Sequence, residues 1–187
     1  MRYLERLLEG SRVEWKRLGE IILIITAPSK VKKNEYKKTG KIPIIDQGVE
    51  FIAGYTDKLL TPVKLDKYII FGDHSEHIKY VDFEFIQGAD GLKILKAKVD
   101  NAKYIFYAFT NFYRKELNYK RHWKTAKEIL IPIPPLRVQQ EIVRILDTFT
   151  RLITELTAEL TARKKQYVYY REQLLTFKEG EVEWKRL

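Results

Sequence analysis

The sequence has no cysteine, one methionine and six prolines among its 187 residues. The lack of cysteine excludes disulfide bonds, thiolate metal ligands and a cysteine nucleophile, and it is compatible with a reducing compartment. No secretory signal or transmembrane stretch is visible, because the apolar run at residues 21–25 is far shorter than the roughly 20 residues that cross a bilayer. We therefore expect a cytoplasmic protein without a membrane segment.

Sequence motifs of common enzyme active sites are also missing. The sequence contains no phosphate-binding loop, no glycine fingerprint for a dinucleotide or methyl donor, no serine elbow and no zinc-protease helix. His74 and His77, near Asp73 and Glu76, have a spacing that metal ligands can adopt, but an Asp-His-Ser group after a glycine is typical of a hydrogen-bonded turn. We predict no catalytic residue, no cofactor and no metal site; a metal-dependent nuclease that uses one of these histidines is the alternative.

Positive charge is in excess, with 35 Lys and Arg against 25 Asp and Glu and a net charge of +10. This excess favours a polyanionic partner, either nucleic acid or an anionic membrane surface. A basic protein without such a partner is the second interpretation. Six lysines surround Tyr36 in residues 30–41, a segment with few apolar residues that we expect to be a mobile basic loop.

The strongest binding signal is residues 111–124, where five basic side chains alternate with aromatic rings. Basic groups can contact phosphates or guanine edges while rings pack on sugars or thymine methyl groups, so we predict contact with double-stranded DNA. Tyr113 and Trp123 have a second interpretation, as core residues. With Tyr55 and His74 added as loop candidates for base edges, the predicted DNA-binding residues are Lys32, Lys33, Lys37, Lys38, Tyr55, His74, Arg114, Lys120, Arg121 and Lys124.

Residues 21–133 are predicted to form an α+β domain with a mixed sheet. Short segments rich in β-branched and aromatic residues occur at 21–26, 42–45, 68–71 and 79–86, and glycines separate them. The spacing of apolar residues predicts one helix over 101–116, with Asp100 or Asn101 as its N-cap.

A long helix is predicted after the proline-rich segment at 131–136, because no proline or glycine occurs from 136 to 177. Apolar residues recur there at alternating spacings of four and three, a heptad seam that Arg163 interrupts. Such a seam needs a partner helix, from a second copy, a longer chain or another protein; folding back over its own domain is the alternative. The predicted seam residues are Ile142, Leu146, Phe149, Ile153, Leu156, Leu160, Tyr167, Tyr170 and Leu174.

The hexamer VEWKRL occurs twice, at residues 13–18 and 182–187. The pattern Tyr-x-Glu-x-Leu-Leu precedes both copies, so the chain contains the end of one repeated unit and the beginning of the next. We therefore predict a recognition domain at residues 1–134, a long helix at 135–177 and the start of a repeated unit at 178–187.

Six segments together carry a resemblance to a known family. They are VEWKRLGEI at 13–21, IPIPPLRVQQEIVRILD at 131–147, KQYVYYREQLLTF at 165–177, GYT at 54–56, GDHS at 72–75 and GADG at 88–91. They resemble the DNA specificity (S) subunit of type I restriction-modification systems, and the three short motifs resemble one subtype of its target recognition domain.

The resemblance implies a target recognition domain that reads one half of a split DNA site, and a long helix that pairs antiparallel with its counterpart. It also implies a subunit without catalytic activity, which binds methyltransferase (M) subunits and restriction (R) subunits. A full S subunit has two recognition domains, whereas this chain has one. The chain is then either the amino-terminal half of a longer subunit or a half-size subunit, and in either case we expect a homodimer formed through the long helix. A coiled-coil adaptor that binds protein is the alternative from a different class.

Overall fold

The computed structural model describes residues 3–8, 10–177, 180 and 183, so almost all of the second VEWKRL copy lies outside the described residues, as does most of the predicted unit at 178–187. The chain divides into two compact units, Met1–Val143 and Arg144–Leu187. In chain order the elements are α1 (Tyr3–Leu8), β1 (Glu14–Arg17), α2 (Leu18–Ile21), β2 (Ile22–Ile25), β3 (Ile42–Ile45), β4 (Gly54–Thr56), β5 (Tyr68–Gly72), β6 (Ile78–Val81), β7 (Ile86–Gln87), β8 (Leu92–Ala97), α3 (Ala102–Phe112), α4 (Trp123–Ala126), β9 (Leu130–Ile133) and α5 (Leu136–Leu175).

The largest sheet has four strands in the order β2-β8-β5-β6, and every pair in it is antiparallel. Its central strand β5 is buried along its whole length, and α3 packs against it through Phe109, whose ring centroid lies 5.5 Å from that of Phe71. Tyr113 is buried in the same cluster, and the half-buried Trp123 packs on Phe71. The core interpretation of these two rings is therefore correct.

A second sheet joins β4, β3 and β7, with β3 antiparallel to β4 and parallel to β7. Ile44, Ile45 and Ile86 are fully buried in it, which explains why these short apolar strands are stable. The α+β prediction is confirmed, and the strand predicted at 42–45 is observed with those bounds.

Several predicted elements have other bounds in the structure; β5 is one residue longer than predicted, and α5 is shorter than the predicted 135–177. The strand predicted at 79–86 is divided into β6 and β7, because β6 pairs with β5 only as far as the Tyr68–Val81 pair and β7 pairs in the other sheet. Ile21 ends the short helix α2, so that β2 begins one residue later than expected. Helix α3 is shorter than the predicted 101–116, since Tyr113 is already extended, with φ −74° and ψ 127°.

The first VEWKRL copy contributes β1, which pairs antiparallel with β9. Trp15 lies opposite Pro132 in this pair, and its ring makes an edge contact with Phe112 at 5.5 Å. Leu18, the last residue of the hexamer, is fully buried. The hexamer therefore pairs with the proline-containing segment that leads into the long helix.

Helix α5 is 40 residues long, or about 60 Å at ~1.5 Å per residue. Near its start Val138 is buried, and Ile142 packs against the core of the first unit. Every residue from Phe149 to Phe177 is exposed, including the predicted seam residues in that range. None of the described helices is both long enough and apolar enough to cross a lipid bilayer.

Candidate nucleic-acid interface

A buried carboxylate, that of Glu76, organises the loop between α3 and α4. Glu76 lies in the turn between β5 and β6 and is only 2% exposed. Its two oxygens accept hydrogen bonds from the backbone N–H of Glu116, at 2.8 and 3.0 Å, and from that of Leu117, at 3.1 Å. The Tyr113 hydroxyl donates a further bond of 3.1 Å. One side chain thereby fixes the path of a loop that lies forty residues away in the sequence.

The ionisation of Glu76 follows from these contacts. Burial acts to raise the pKa of Glu76, because a buried carboxylate loses its hydration. The N–H groups of Glu116 and Leu117, the Tyr113 hydroxyl and the nearby His122 outweigh burial, so the pKa of Glu76 is lowered overall. Burial and the same carboxylate raise the pKa of Tyr113, which stays a neutral donor. Glu76 is therefore the charged anchor of the loop at neutral pH.

The neighbouring turn residue Asp73 holds the other end of this loop. Its backbone carbonyl accepts from the N–H of His122 at 2.8 Å, and its carboxylate accepts from the N–H of Trp123 at 2.8 Å. His122 is fully buried, with Nε2 donating to the carbonyl of Asn118 at 2.9 Å and Nδ1 lying 3.0 Å from a Glu76 oxygen. The turn between β5 and β6 thus fixes both ends of the loop at residues 113–122, which we call the anchored loop.

The predicted residue His74 is brought onto the anchored loop. Its ring stacks on Tyr119, with centroids 5.4 Å apart and planes at 16°, and its Nδ1 lies 3.1 Å from the carbonyl oxygen of Lys120. Gln47 supports it from the other side, since its Oε1 accepts from the His74 N–H at 3.2 Å. His74 is therefore held in one position by three separate contacts.

Two lysines of the anchored loop, Lys115 and Lys120, each have a polar partner. Lys120 forms an ion pair with Glu116 in the same loop, and Lys115 lies 3.4 Å from Nδ1 of His77. Burial, Lys115 and Lys79 all lower the pKa of His77, so that this ring is neutral at neutral pH.

Further cations lie beside the anchored loop, and two of them, Lys93 and Lys127, pair with Asp73 and Glu128. Arg121 and Lys124 line a shallow depression with Lys93 and Lys127. Within the described ranges, Arg114, Arg121 and Lys124 are exposed and form no ion pair. The structure thus collects all four predicted basic residues of 111–124 at or beside the anchored loop.

The amino-terminal lysine segment is linked to the same region through Gln47. The Gln47 amide donates to the carbonyl of Asp90 at 3.1 Å, and the Asp90 carboxylate pairs with Lys30 at 3.0 Å. Gly91 makes the close approach possible: its φ is +91°, and a Cβ there would lie 2.8 Å from the Gln47 side chain.

The lysine segment, which we expected to be a mobile loop, makes defined contacts with neighbouring strands and loops. Lys37 and Tyr55 exchange two backbone hydrogen bonds of 2.9 Å, and Lys37 also pairs with Asp57 at 2.9 Å. Tyr36 accepts from the N–H of Ala89 at 2.9 Å. The side chains of Lys32, Lys33 and Lys38 are exposed, and none has an ion pair in the part of the chain that the structure describes.

The predicted residues therefore fall into two groups, one on the anchored loop and one around Lys37 and Tyr55. No hydrogen bond or ring contact joins Tyr55 to His74 among the described residues. Sequence reasoning missed the structural roles of Gln47, Glu76 and Leu117. The polar residues that follow Gly72 are a signal for a turn in the sequence. The sequence does not show that Glu76 in this turn binds the backbone of Glu116 and Leu117, forty residues away.

The geometry does not favour the metal site that the two histidines could have formed. Across residues 3–8, 10–177, 180 and 183, no group of three or more His, Asp or Glu side chains is placed to hold a metal ion. The His74 ring stacks on Tyr119 and its Nδ1 contacts the carbonyl oxygen of Lys120, while the Nδ1 of His77 lies next to the Lys115 side chain.

The fold, an α+β domain followed in the chain by a long helix, is similar to that of solved S subunits of type I restriction-modification systems. The S subunit of M. genitalium matches with a TM-score of 0.64 and 17% identity, over 92% of this chain and 48% of that chain. The HsdS subunit of Thermoanaerobacter tengcongensis matches with a TM-score of 0.52 and 17% identity, over 79% of this chain and 39% of that one. These likenesses establish the fold.

Sequence comparison identifies the family. Residues 11–163 match the type I restriction modification DNA specificity domain, and the chain belongs to that family. The specificity subunit of the Escherichia coli type I restriction enzyme EcoR124I/EcoR124II is 45% identical over the whole chain and 50% of its own length. The specificity subunit of the E. coli type I enzyme EcoprrI is 34% identical over 98% of this chain and 55% of its own length. The chain spans about half the length of these relatives, and the predicted resemblance is confirmed.

Proposed function

We propose that this chain is a non-catalytic DNA specificity module that reads one half of a split site in double-stranded DNA. The observation that carries the proposal is the anchored loop, which presents aromatic and basic side chains on a rigid frame set by Glu76 and Asp73. Membership of the specificity family and the net charge of +10 support the same conclusion. The proposed phosphate and base contacts are Lys32, Lys33, Lys37, Lys38, Tyr55, His74, Arg114, Lys120, Arg121 and Lys124.

Electrostatics divides these residues by their availability to DNA. Lys37 and Lys120 already pair with acidic side chains, so a phosphate would have to compete with Asp57 and Glu116. Arg114, Arg121 and Lys124 have no such competitor among the described residues. Lys32, Lys33 and Lys38 share this property, so we propose that these six cations contribute most to phosphate binding, because each releases a counterion from DNA without losing an internal ion pair.

The long helix supplies the second part of the proposed function. Its apolar seam is exposed from Phe149 onward, and an exposed seam of this length is stabilised when another helix covers it. We propose that the counterpart is the helix of a second copy, which yields a homodimer with two recognition domains. We further propose that residues 1–134 form the recognition domain, residues 135–177 the pairing helix and residues 178–187 the start of a repeated unit. The proposed partners are M and R subunits, and the proposed location is the cytoplasm.

A salt titration tests the proposal. Binding of the full chain to a duplex is measured by fluorescence anisotropy at several salt concentrations, for the wild type and for the double variant Arg121→Ala/Lys124→Ala. We expect the slope of log K against log salt to become about 0.9 shallower for each phosphate contact removed. Lys67→Ala is the control, because it also removes an exposed positive charge. Lys67 directly precedes β5, at the end of the strand opposite to the Asp73 turn.

The result distinguishes the proposal from a protein-binding adaptor. An affinity for DNA that does not change with salt, or a slope equal in wild type and double variant, would contradict DNA binding through the anchored loop. Cleavage of plasmid DNA in the presence of magnesium ions, abolished in His77→Ala, would instead support the nuclease alternative.

A further inference from the structure

The tip of the anchored loop carries an exposed leucine in a strained backbone conformation. Leu117 has φ +56°, in the left-handed region that leucine rarely adopts, and its side chain is 85% exposed. A non-glycine residue in this region is strained, because its Cβ lies too close to the following carbonyl oxygen. The N–H of Leu117 donates to the buried Glu76, and that bond holds the strained conformation in place.

Tyr119, two residues later, is the second exposed apolar group of the tip. Its side chain is 91% exposed, yet one face of its ring is stacked on His74. His74 is itself held by Gln47 and by the carbonyl of Lys120. The backbone of Leu117 and the ring of Tyr119 are therefore held in place while both residues stay exposed, a combination that lowers the entropy lost when a ligand binds.

Positive charge flanks this apolar tip on both sides in the sequence. Arg114 and Lys115 precede it, and Lys120 and Arg121 follow it. Leucine gains nothing from a phosphate, whereas the major groove of DNA offers an apolar group in the C5 methyl of thymine. The charges therefore favour a nucleic acid duplex as the occupant, and the apolar tip favours the base edges over the backbone.

We propose that Leu117 and Tyr119 are specificity-determining residues that contact thymine methyl groups in the major groove of the half-site. Glu76 is a positioning residue, because it acts only through the backbone of the anchored loop. This assignment rests on the proposed function and deepens it. The cations on either side supply affinity for any sequence, and the apolar tip supplies the preference for particular base pairs.

The key variant is Leu117→Gly. Glycine adopts a positive φ without strain, so this change removes the side chain while the loop conformation is relieved rather than disturbed. We expect thermal stability equal to or above that of the wild type, which separates loss of recognition from loss of folding. Tyr119→Ala is the second variant, and Lys67→Ala is again the control.

Selection from a library of randomised duplexes by the full chain measures base preference directly. We expect the wild type to select a half-site, and Leu117→Gly and Tyr119→Ala to lose preference at one or two positions. On the selected duplex each variant should bind about tenfold more weakly, as for a mismatched base pair. On a duplex of unrelated sequence their affinity and salt slope should match those of the wild type.

Replacing each thymine of the selected site by uracil, which lacks the methyl group, tests the contact itself. Wild-type affinity should fall at the contacted thymine, and Leu117→Gly or Tyr119→Ala should show no further fall at its own position. The inference would be overturned if both variants kept the base preference of the wild type, or if uracil lowered the affinity of the wild type and the variants equally. Either result would leave the proposed DNA recognition by the chain intact. A wild type that selects no sequence at any salt would overturn both.

Discussion

Gln139, in the first turn of the long helix, is hydrogen-bonded to Asn101, the N-cap of α3. Its Oε1 accepts from the Asn101 N–H at 2.9 Å, and its amide donates to the Asp100 carboxylate at 2.8 Å and to the Pro134 carbonyl at 2.9 Å. The Asn101 side chain in turn accepts from the N–H groups of the first turn of α3. One buried glutamine therefore joins the beginnings of two helices that are far apart in the sequence.

Replacing Gln139 by alanine should destabilise the first unit. The change removes three hydrogen bonds and leaves the Asn101 N–H and the Asp100 carboxylate without this partner, so we expect a loss of about 2 to 4 kcal/mol in the free energy of unfolding. Urea denaturation followed by circular dichroism measures it. Gln140→Ala, at the exposed neighbouring position, should change stability by less than about 0.5 kcal/mol. Equal stability of the two variants would contradict the role of Gln139.

Replacing Glu76 by glutamine should loosen the anchored loop. An amide cannot offer two acceptor oxygens to the N–H groups of Glu116 and Leu117, and we expect a cost of about 1 to 3 kcal/mol. Hydrogen exchange of these two amides should become faster in Glu76→Gln and stay unchanged in Glu84→Gln, a substitution at an exposed position. Unchanged exchange in both variants would contradict the anchoring role.

Acid should release the same loop. The pKa of Glu76 in the folded chain lies below its ordinary value of 4.5, so its bonds contribute fully above that pH. This contribution is lost as the pH falls through the folded-state pKa, because the unfolded chain binds the proton first. Stability measured from about pH 7 to about pH 3 should therefore fall more steeply for the wild type than for Glu76→Gln. Parallel curves would exclude Glu76 as the titrating group.

The seam predicts the oligomeric state. Light scattering over a range of concentrations should find a dimer, and replacing Phe149, Leu156 and Leu160 by glutamine should convert it to a monomer, because the apolar area that drives helix pairing is removed. Lys165→Gln and Glu172→Gln, on the opposite side of the same helix, should leave the dimer intact. A wild type that is monomeric at every concentration would show that the seam awaits a different helix.

Alanine substitutions at Gly10 and Gly91, two glycines with a positive φ, distinguish the cost of backbone strain from the cost of a steric clash. Gly10→Ala places a Cβ in open space at φ +68°, so only the strain of about 1 kcal/mol is expected. Gly91→Ala adds a clash with Gln47, whose side chain must move and release His74 and Asp90. Thermal denaturation should show the larger loss for Gly91→Ala, and similar losses would mean that Gln47 moves without cost.

Features that depend on neighbouring residues were predictable from the sequence. The β-branched run of β3, the N-cap at Asn101 and the beginning of α5 after Pro135 follow from local rotamer, capping and proline effects. The family could be predicted as well, because its motifs are short stretches of contiguous residues.

Tertiary contacts decided the remainder. Helix α3 ends at Phe112 because the next residues turn toward Glu76, and β6 ends at Val81 because its partner strand begins at Tyr68. The strained Leu117 has no local signal at all, since leucine by itself avoids a positive φ. A buried carboxylate forty residues away outweighs that preference, because an unsatisfied buried charge costs more free energy than one strained residue.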